Sequence, residues 1–308
     1  MEHNYEAIKA KIAALKKERK AVILAHNYQL GEVQDIADFV GDSLDLSQKA
    51  SRTDADIIIF CGVHFMAETA AILCPQKTVL IPDIGAGCPM ANMITAESLL
   101  KLIAEHPGAP VVCYINTSAA VKAESDICCT SANAVRVVSE YIDKKEVIFI
   151  PDQYLGHFVQ MKLNKKLILW PGYCPTHAKI QADDIIKLRE RYPEAKVVVH
   201  PECRPEVIEL ADEALSTSGI IKFAQTTDVK EIIVGTEIGI LHRLEKENPG
   251  KRFIAASDKA ICPNMKKITL EKVLWSLEDL TYEVKVPENI TLKARAAVDK
   301  MLNIGRND

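Results

Sequence analysis

The sequence predicts an α/β protein of three parallel-sheet αβα sandwich units, related by a pseudo-threefold axis and arranged around a central metal site. Three observations predict it. Three Cys-Pro pairs, Cys88-Pro89, Cys174-Pro175 and Cys262-Pro263, stand 86 and 88 residues apart, and self-similarity at a fixed period marks a repeated structural unit. Ahead of each pair run three short β-branched segments in the same order, bounded by turn residues as buried strands are. Between the first and second of these falls a hydroxyl that keeps the phase: Ser43, Ser131 and Thr217, spaced by 88 and 86 residues.

The elements follow in order. Residues 4–18 put Tyr5, Ile8, Ile12 and Leu15 on one face of a helix. The first strand of each unit is read at 21–25, 111–115 and 196–199. These strands end in the polar clusters His26-Asn27-Tyr28, Asn116-Thr117 and His200-Pro201-Glu202. The in-phase hydroxyl then begins a stretch of helical periodicity. Second strands fall at 56–60, 146–150 and 231–234, and third strands at 77–81, 165–169 and 251–255. After each Cys-Pro comes a connecting helix, with Thr95 and Thr269 placed as N-caps seven residues past their cysteines. Its apolar positions are Leu99, Leu100 and Ile103, then Ile185, Ile186 and Leu188, then Val273, Leu274 and Leu277. Each unit therefore reads βαβαβ plus a helix, over residues 1–94, 95–180 and 181–308. The last unit adds a strand at 282–286 and a closing helix at 292–302. Units of about 86 residues are small to stand alone. They are expected to share a centre, where ligands bind beyond the C-terminal ends of parallel strands.

Composition agrees with a globular enzyme-sized chain: 308 residues, 48% hydrophobic and 26% charged. The net charge of −4 and the lack of a long basic run exclude a broad nucleic-acid or anionic-membrane surface. No apolar run reaches the ~18 to 20 residues of a membrane helix, and residues 1–20 lack the apolar core of a signal peptide. A cytoplasmic protein is expected. Nine cysteines, an odd number without a secretory signal, point away from a disulfide framework and towards thiol chemistry or metal binding.

Cys88, Cys174 and Cys262 are the candidate metal ligands. Three soft thiolates without a fourth in phase suit a [4Fe-4S] cluster with one iron open, a Lewis acid for dehydration. A Cys3His zinc site that recruits His177, through Cys174-Pro175-Thr176-His177, is the competing arrangement. His177 has no counterpart in the other units and is otherwise a catalytic group beside the open iron. Cys61 and Cys113 read as core, Cys74 is out of phase, and Cys128-Cys129 read as a helix start against a sheet, with a redox pair as the alternative. Any one of Ser43, Ser131 and Thr217 is explained as a helix cap. Three in phase form an anion cradle. His26 and His200 occupy equivalent strand ends, with Tyr114, Ile115 and Asn116 there in the second unit. Tyr28 and Glu202, each two residues beyond its histidine, are the acid/base candidates. Gly85-Ala86-Gly87 after a strand lacks the third glycine of a dinucleotide loop, and Pro89 interrupts the helix start.

These residues together resemble the quinolinate synthase family, over essentially the whole chain. The matching segments are Ala25-His26-Asn27-Tyr28, Gly41-Asp42-Ser43, Ala86-Gly87-Cys88-Pro89-Met90-Ala91, Tyr114-Ile115-Asn116, Pro171-Gly172-Tyr173-Cys174-Pro175-Thr176-His177, His200-Pro201-Glu202-Cys203 and Cys262-Pro263-Asn264-Met265. The resemblance implies a three-domain α/β protein that holds a [4Fe-4S] cluster on Cys88, Cys174 and Cys262. It implies condensation of iminoaspartate with dihydroxyacetone phosphate to quinolinate, phosphate and water in NAD biosynthesis, with iminoaspartate supplied by an aspartate-oxidising enzyme. It makes His26, Ser43, Tyr114, Ile115, Asn116, Ser131, His200, Pro201, Glu202 and Thr217 substrate contacts. Another Fe-S lyase of small dicarboxylates and an Fe-S redox sensor are the remaining alternatives; no DNA-binding segment supports the sensor.

Overall fold

Runs such as Ala21–His26 and Ile57–Cys61 are apolar on both faces, as strands are when helices cover a parallel sheet from both sides. A computed structural model describes residues 2–306. Helix α1 (Glu2–Glu18) leads into β1 (Ala21–His26), α2 (Gly31–Ile36), β2 (Phe39–Gly41), α3 (Ser43–Arg52), β3 (Ile57–Cys61), α4 (His64–Leu73) and β4 (Thr78–Leu80). The pattern then repeats: α5 (Ala96–Glu105), β5 (Val111–Tyr114), α6 (Ala119–Ala123), β6 (Ile127–Cys129), α7 (Ala134–Ser139), β7 (Ile148–Ile150), α8 (Gln153–Leu163) and β8 (Ile168–Leu169). A third copy follows: α9 (Ala182–Arg191), β9 (Lys196–Val199), α10 (Pro205–Glu209), β10 (Glu213–Ala214), α11 (Thr217–Thr226), β11 (Glu231–Gly235), α12 (Ile240–Glu247) and β12 (Arg252–Ala255). Helices α13 (Leu270–Asp279) and α14 (Glu288–Asn303) complete the described residues.

The three sheets have four parallel strands each, in the orders β2-β1-β3-β4, β6-β5-β7-β8 and β10-β9-β11-β12. The order is the same three times. In each, the chain reverses its direction of travel between the first and third strands, so the residues after those strands open a crevice at the C-terminal edge. The polar clusters sit there. One continuous hydrophobic core runs through all three sheets, and α1 packs against α13. A small satellite of Ile72, Ala119 and Ala294 joins α4, α6 and α14. No helix among the described residues is long and apolar enough to cross a membrane.

Several expectations are corrected. Each sheet has a fourth strand, β2, β6 or β10, between the first strand and the in-phase hydroxyl; at two or three residues these are too short to show a period of two. Cys128 and Cys129 lie in β6, not at a helix start, with Cys128 paired to Cys113 and Cys129 to Tyr114. The added strand at 282–286 reduces to one antiparallel bridge, Glu283 to Leu80. Leu100 and Ile186 point outward at 48% and 43% exposure, while Leu99 and Ile185 are buried. Successive helical residues are turned by about 100°, so both cannot face the sheet. Thr95 and Thr269 do cap their helices, accepting the backbone N–H groups of Ser98 and Lys272. Cys61, Cys74 and Cys113 are buried.

Candidate active site

Each Cys-Pro dipeptide leads into a short 3-10 turn, Met90–Met93, His177–Lys179 or Met265–Lys267. All three cysteines line one cavity of about 180 Å³. Cys88, Cys174 and Cys262 are half-buried, whereas the other six cysteines are fully buried. Burial pushes the Cys88 thiol up to about 12, against the pull of the Ala91 and Met90 N–H groups. Burial also raises Cys174 well above its ordinary value, with the Glu202 charge adding to it. A cation is needed to turn such thiols into ligands.

The third cysteine is fastened by Glu237 and Lys266. Glu237, fully buried, accepts the Cys262 N–H on Oε1 at 3.0 Å and the Gly239 N–H on Oε2 at 2.7 Å. Lys266 pairs with Glu237 at 3.0 Å and also donates to the Tyr28 carbonyl. A loop of the third sheet is thereby tied to the turn that carries Tyr28 from the first.

The polar strand ends meet as a connected chain of side chains. Tyr28 Oη lies 2.5 Å from Thr236 Oγ1 and 3.3 Å from His177 Nε2, and Thr236 Oγ1 lies 2.8 Å from that same nitrogen. On the other side of the ring, His177 Nδ1 lies 2.7 Å from Glu202 Oε2 and 3.2 Å from Cys174 Sγ. Glu202 Oε1 accepts from Tyr114 Oη at 2.5 Å and from Asn116 Nδ2 at 3.4 Å. His177 stacks on His200, with ring centroids 4.8 Å apart, and His26 meets Tyr28 edge-on at 4.6 Å.

The charges in this chain follow from burial and neighbours. Burial opposes the Glu202 charge, but the facing His177, then the hydrogen bonds, more than offset it and hold the carboxyl well below its usual range. Burial lowers His26 to about 4 and His200 to about 3, so both are neutral imidazoles at neutral pH. Burial, then the Glu202 charge, keeps Tyr28 and Tyr114 as phenols, raised well above the ordinary tyrosine value.

Ser43, Ser131 and Thr217 all line the cavity. None is an N-cap. Asp42 caps α3 in a capping box with Asp45, and Ser216 caps α11 by accepting the Gly219 N–H. In the second sheet Asn133 accepts the Thr130 N–H ahead of α7. Two of the in-phase hydroxyls have other partners: Ser131 Oγ lies 3.1 Å from His200 Nε2, and Thr217 Oγ1 accepts from Asn27 Nδ2 at 2.9 Å. Two expected substrate contacts do not line the cavity: Ile115 and Pro201 are buried behind it. Cys203 is also buried, its Sγ donating to the Gly235 carbonyl.

Sequence reasoning gave no role to Thr236, Glu237 or Lys266, and Asp42 appeared only inside the segment Gly41-Asp42-Ser43. A signal existed for one of them. Glu237 stands two residues past β11 as Asp152 stands two residues past β7, 85 residues earlier. Exposed Lys179 also lines the cavity and brings a cation to it.

Among the described residues, Cys174, His177 and Glu202 form the one trio whose ligand atoms all lie within 4.8 Å of one another. The three thiols do not form a second such trio. Three thiolates on a single tetrahedral zinc would stand about 3.8 Å apart, given Zn–S bonds of about 2.3 Å. At least one pair of the three thiols stands farther apart than that, and His177 faces Glu202 and Thr236.

A family model described as quinolinate synthetase A protein matches residues 10–303. The chain is 62% identical over 299 residues to a quinolinate synthase of Dehalococcoides mccartyi (strain CBDB1), covering 97% of this chain and 99% of that one. It is 55% identical over 294 residues to a quinolinate synthase of Methanosarcina barkeri, covering 96% of each. To one of Geobacter metallireducens it is 55% identical over 302 residues, covering 98% and 99%.

Proposed function

The chain belongs to the quinolinate synthetase A family and is an enzyme, and from that premise we propose that it condenses iminoaspartate with dihydroxyacetone phosphate. The products are quinolinate, phosphate and water, as a step of NAD biosynthesis. One observation carries the reading: the three cysteines in phase with the repeat line the same cavity as neutral imidazoles, phenols and helix-start hydroxyls. That set suits two small anionic substrates and a soft-metal centre.

The residues present fit a [4Fe-4S] cluster held by Cys88, Cys174 and Cys262, one from each of three units taken as 1–94, 95–180 and 181–308. The half-buried thiols, their place on one cavity and the absence of a fourth in-phase cysteine all support it. When bound, such a cluster supplies Lewis acidity towards oxygen functions that leave as water.

The chain's own residues do the rest. Ser43, Ser131 and Thr217 receive carboxylate and phosphate oxygens, with His26, Asn116 and His200 donating from neutral side chains. Lys179 adds a positive charge. This holds the two substrates in a near-attack arrangement. Glu202, ionised and bonded to His177, accepts a proton, and Tyr28, kept as a phenol, donates one. His177 and Thr236 connect them, so a proton taken at Glu202 Oε2 has a path to Tyr28 Oη.

The test is turnover of anaerobically purified protein. Iminoaspartate is generated in place by an aspartate-oxidising enzyme, dihydroxyacetone phosphate is added, and quinolinate is measured by chromatography beside iron and sulfide content. Quinolinate formation that scales with iron is expected. Protein with full iron and sulfide that makes none overturns the reading.

A further inference from the structure

Helix α14 packs over α4 and α6, and the chain beyond it turns towards the first residues of three helices, one beside each sheet. Asn133, ahead of α7, donates to the carbonyls of Met301 and Ile304 at 3.3 Å, and Arg136 donates to that of Arg306 at 3.1 Å. The Arg306 guanidinium then reaches the other two helices. Nη1 donates to Asp45 Oδ1 at 2.9 Å, and Nη2 donates to Asp42 Oδ2 at 2.8 Å and to Ser216 Oγ at 2.9 Å. Ser216 and Ser218 bond the same two carboxylates, at 3.3 and 2.5 Å.

These are the caps of α3 and α11. The next residues, Ser43 and Thr217, line the cavity, and Asp42 lines it too. Two carboxylates thus stand directly behind the hydroxyls that face an anionic ligand. Burial opposes the Asp42 charge, but Arg306 more than offsets it and keeps the group ionised; burial and Asp42 together push Asp45 the other way. Like charges this close repel each other, and they repel any anion in the cavity.

We propose that Arg306 is a positioning residue for the reaction: paired with Asp42 and Asp45 and tied to Ser216, it cancels the carboxylate field behind the cavity and holds the two hydroxyl-bearing helix starts together. It touches no substrate. The inference rests on the reading that these hydroxyls receive substrate carboxylate or phosphate.

The experiment measures binding of pyridine-2,3-dicarboxylate and, separately, inorganic phosphate to cluster-loaded wild type, Arg306→Met, Arg306→Lys and Arg306→Met/Asp42→Asn, with a melting temperature for each. Asn keeps the cap of α3. Arg306→Met should weaken both anions roughly ten- to a hundredfold, and Lys should keep part of the affinity. Removing the Asp42 charge should restore most of the loss, a rescue that a merely structural role would not give. Unchanged affinity in Arg306→Met, or no recovery in the double variant, overturns the proposal. Wild type that binds phosphate but not the pyridine dicarboxylate sinks the assigned substrate class, and the phosphate arm still decides the role of Arg306. Wild type that binds neither overturns both.

Discussion

The Glu237 carboxylate accepts the Cys262 backbone N–H at 3.0 Å, which makes a fully buried acid the anchor of a proposed cluster ligand. The same carboxylate pairs with Lys266, and Lys266 bonds the carbonyl of Tyr28. A proposed ligand from the third sheet and a proposed acid from the first therefore share one ion pair.

Glu237→Ala should leave Lys266, 19% exposed, without its carboxylate and the Cys262 and Gly239 N–H groups without their acceptor, a loss of about 1 to 3 kcal/mol. Glu237→Gln, which keeps an acceptor for the Cys262 N–H, should cost less. Urea denaturation reads the stability, and iron and sulfide per chain read the anchoring of Cys262. Wild-type stability and metal content in the Ala variant would show that the bond holds nothing.

Replacing any one of Cys88, Cys174 and Cys262 with Ala should abolish iron and sulfide retention, because two thiolates are too few to hold a cluster supplied with three. Alanine at Cys61, Cys74 or Cys113 should leave metal content unchanged, with only the packing cost of a buried thiol. Full iron in Cys88→Ala would end the assignment.

Because Ser216 caps α11, Thr217→Ala should keep that cap and lose only the bond from buried Asn27 Nδ2, about 1 to 3 kcal/mol of stability. It should still lose roughly ten- to a hundredfold in kcat/KM if the hydroxyl bonds a charged substrate group. Normal kinetics per folded molecule would make Thr217 a partner of Asn27 and nothing more.

Acid stability should depend on Asp42. Its folded carboxyl lies below the ordinary value because Arg306 more than offsets burial, whereas the unfolded chain titrates near about 3.9. A lowered folded value contributes stability that is complete above the unfolded value and lost as pH falls through it towards the folded one. The urea midpoint of wild type should therefore fall more steeply from pH 5 to pH 3 than that of Asp42→Asn. Parallel curves would remove Asp42 from the account.

The repeat, nine of the twelve strands among the described residues and the placement of the cysteines were legible because each is a local pattern: a run of β-branched residues, a dipeptide and a fixed interval. The fourth strand of each sheet was not, since Glu213–Ala214 is held by its pairing with β9 and has no strand-like composition of its own. Cys128 illustrates the same limit, reading as a helix start until Cys113 is placed opposite it. The in-phase hydroxyls were found, but their role as caps belongs to their neighbours Asp42 and Ser216. Moving a helix start by one residue leaves the hydrophobic period unchanged.

By itself, the sequence determined that three similar units exist and which side chains stand at their strand ends, because strand and helix periods are set by residues a few positions apart. Only the tertiary structure decided how those ends combine. Tyr28 and His177 are 149 positions apart, Tyr114 and Glu202 are 88 apart, and Arg306 is 264 from Asp42. Contacts over such separations depend on how the three sheets turn to bury their helices against one shared core, and no interval along the chain records that rotation.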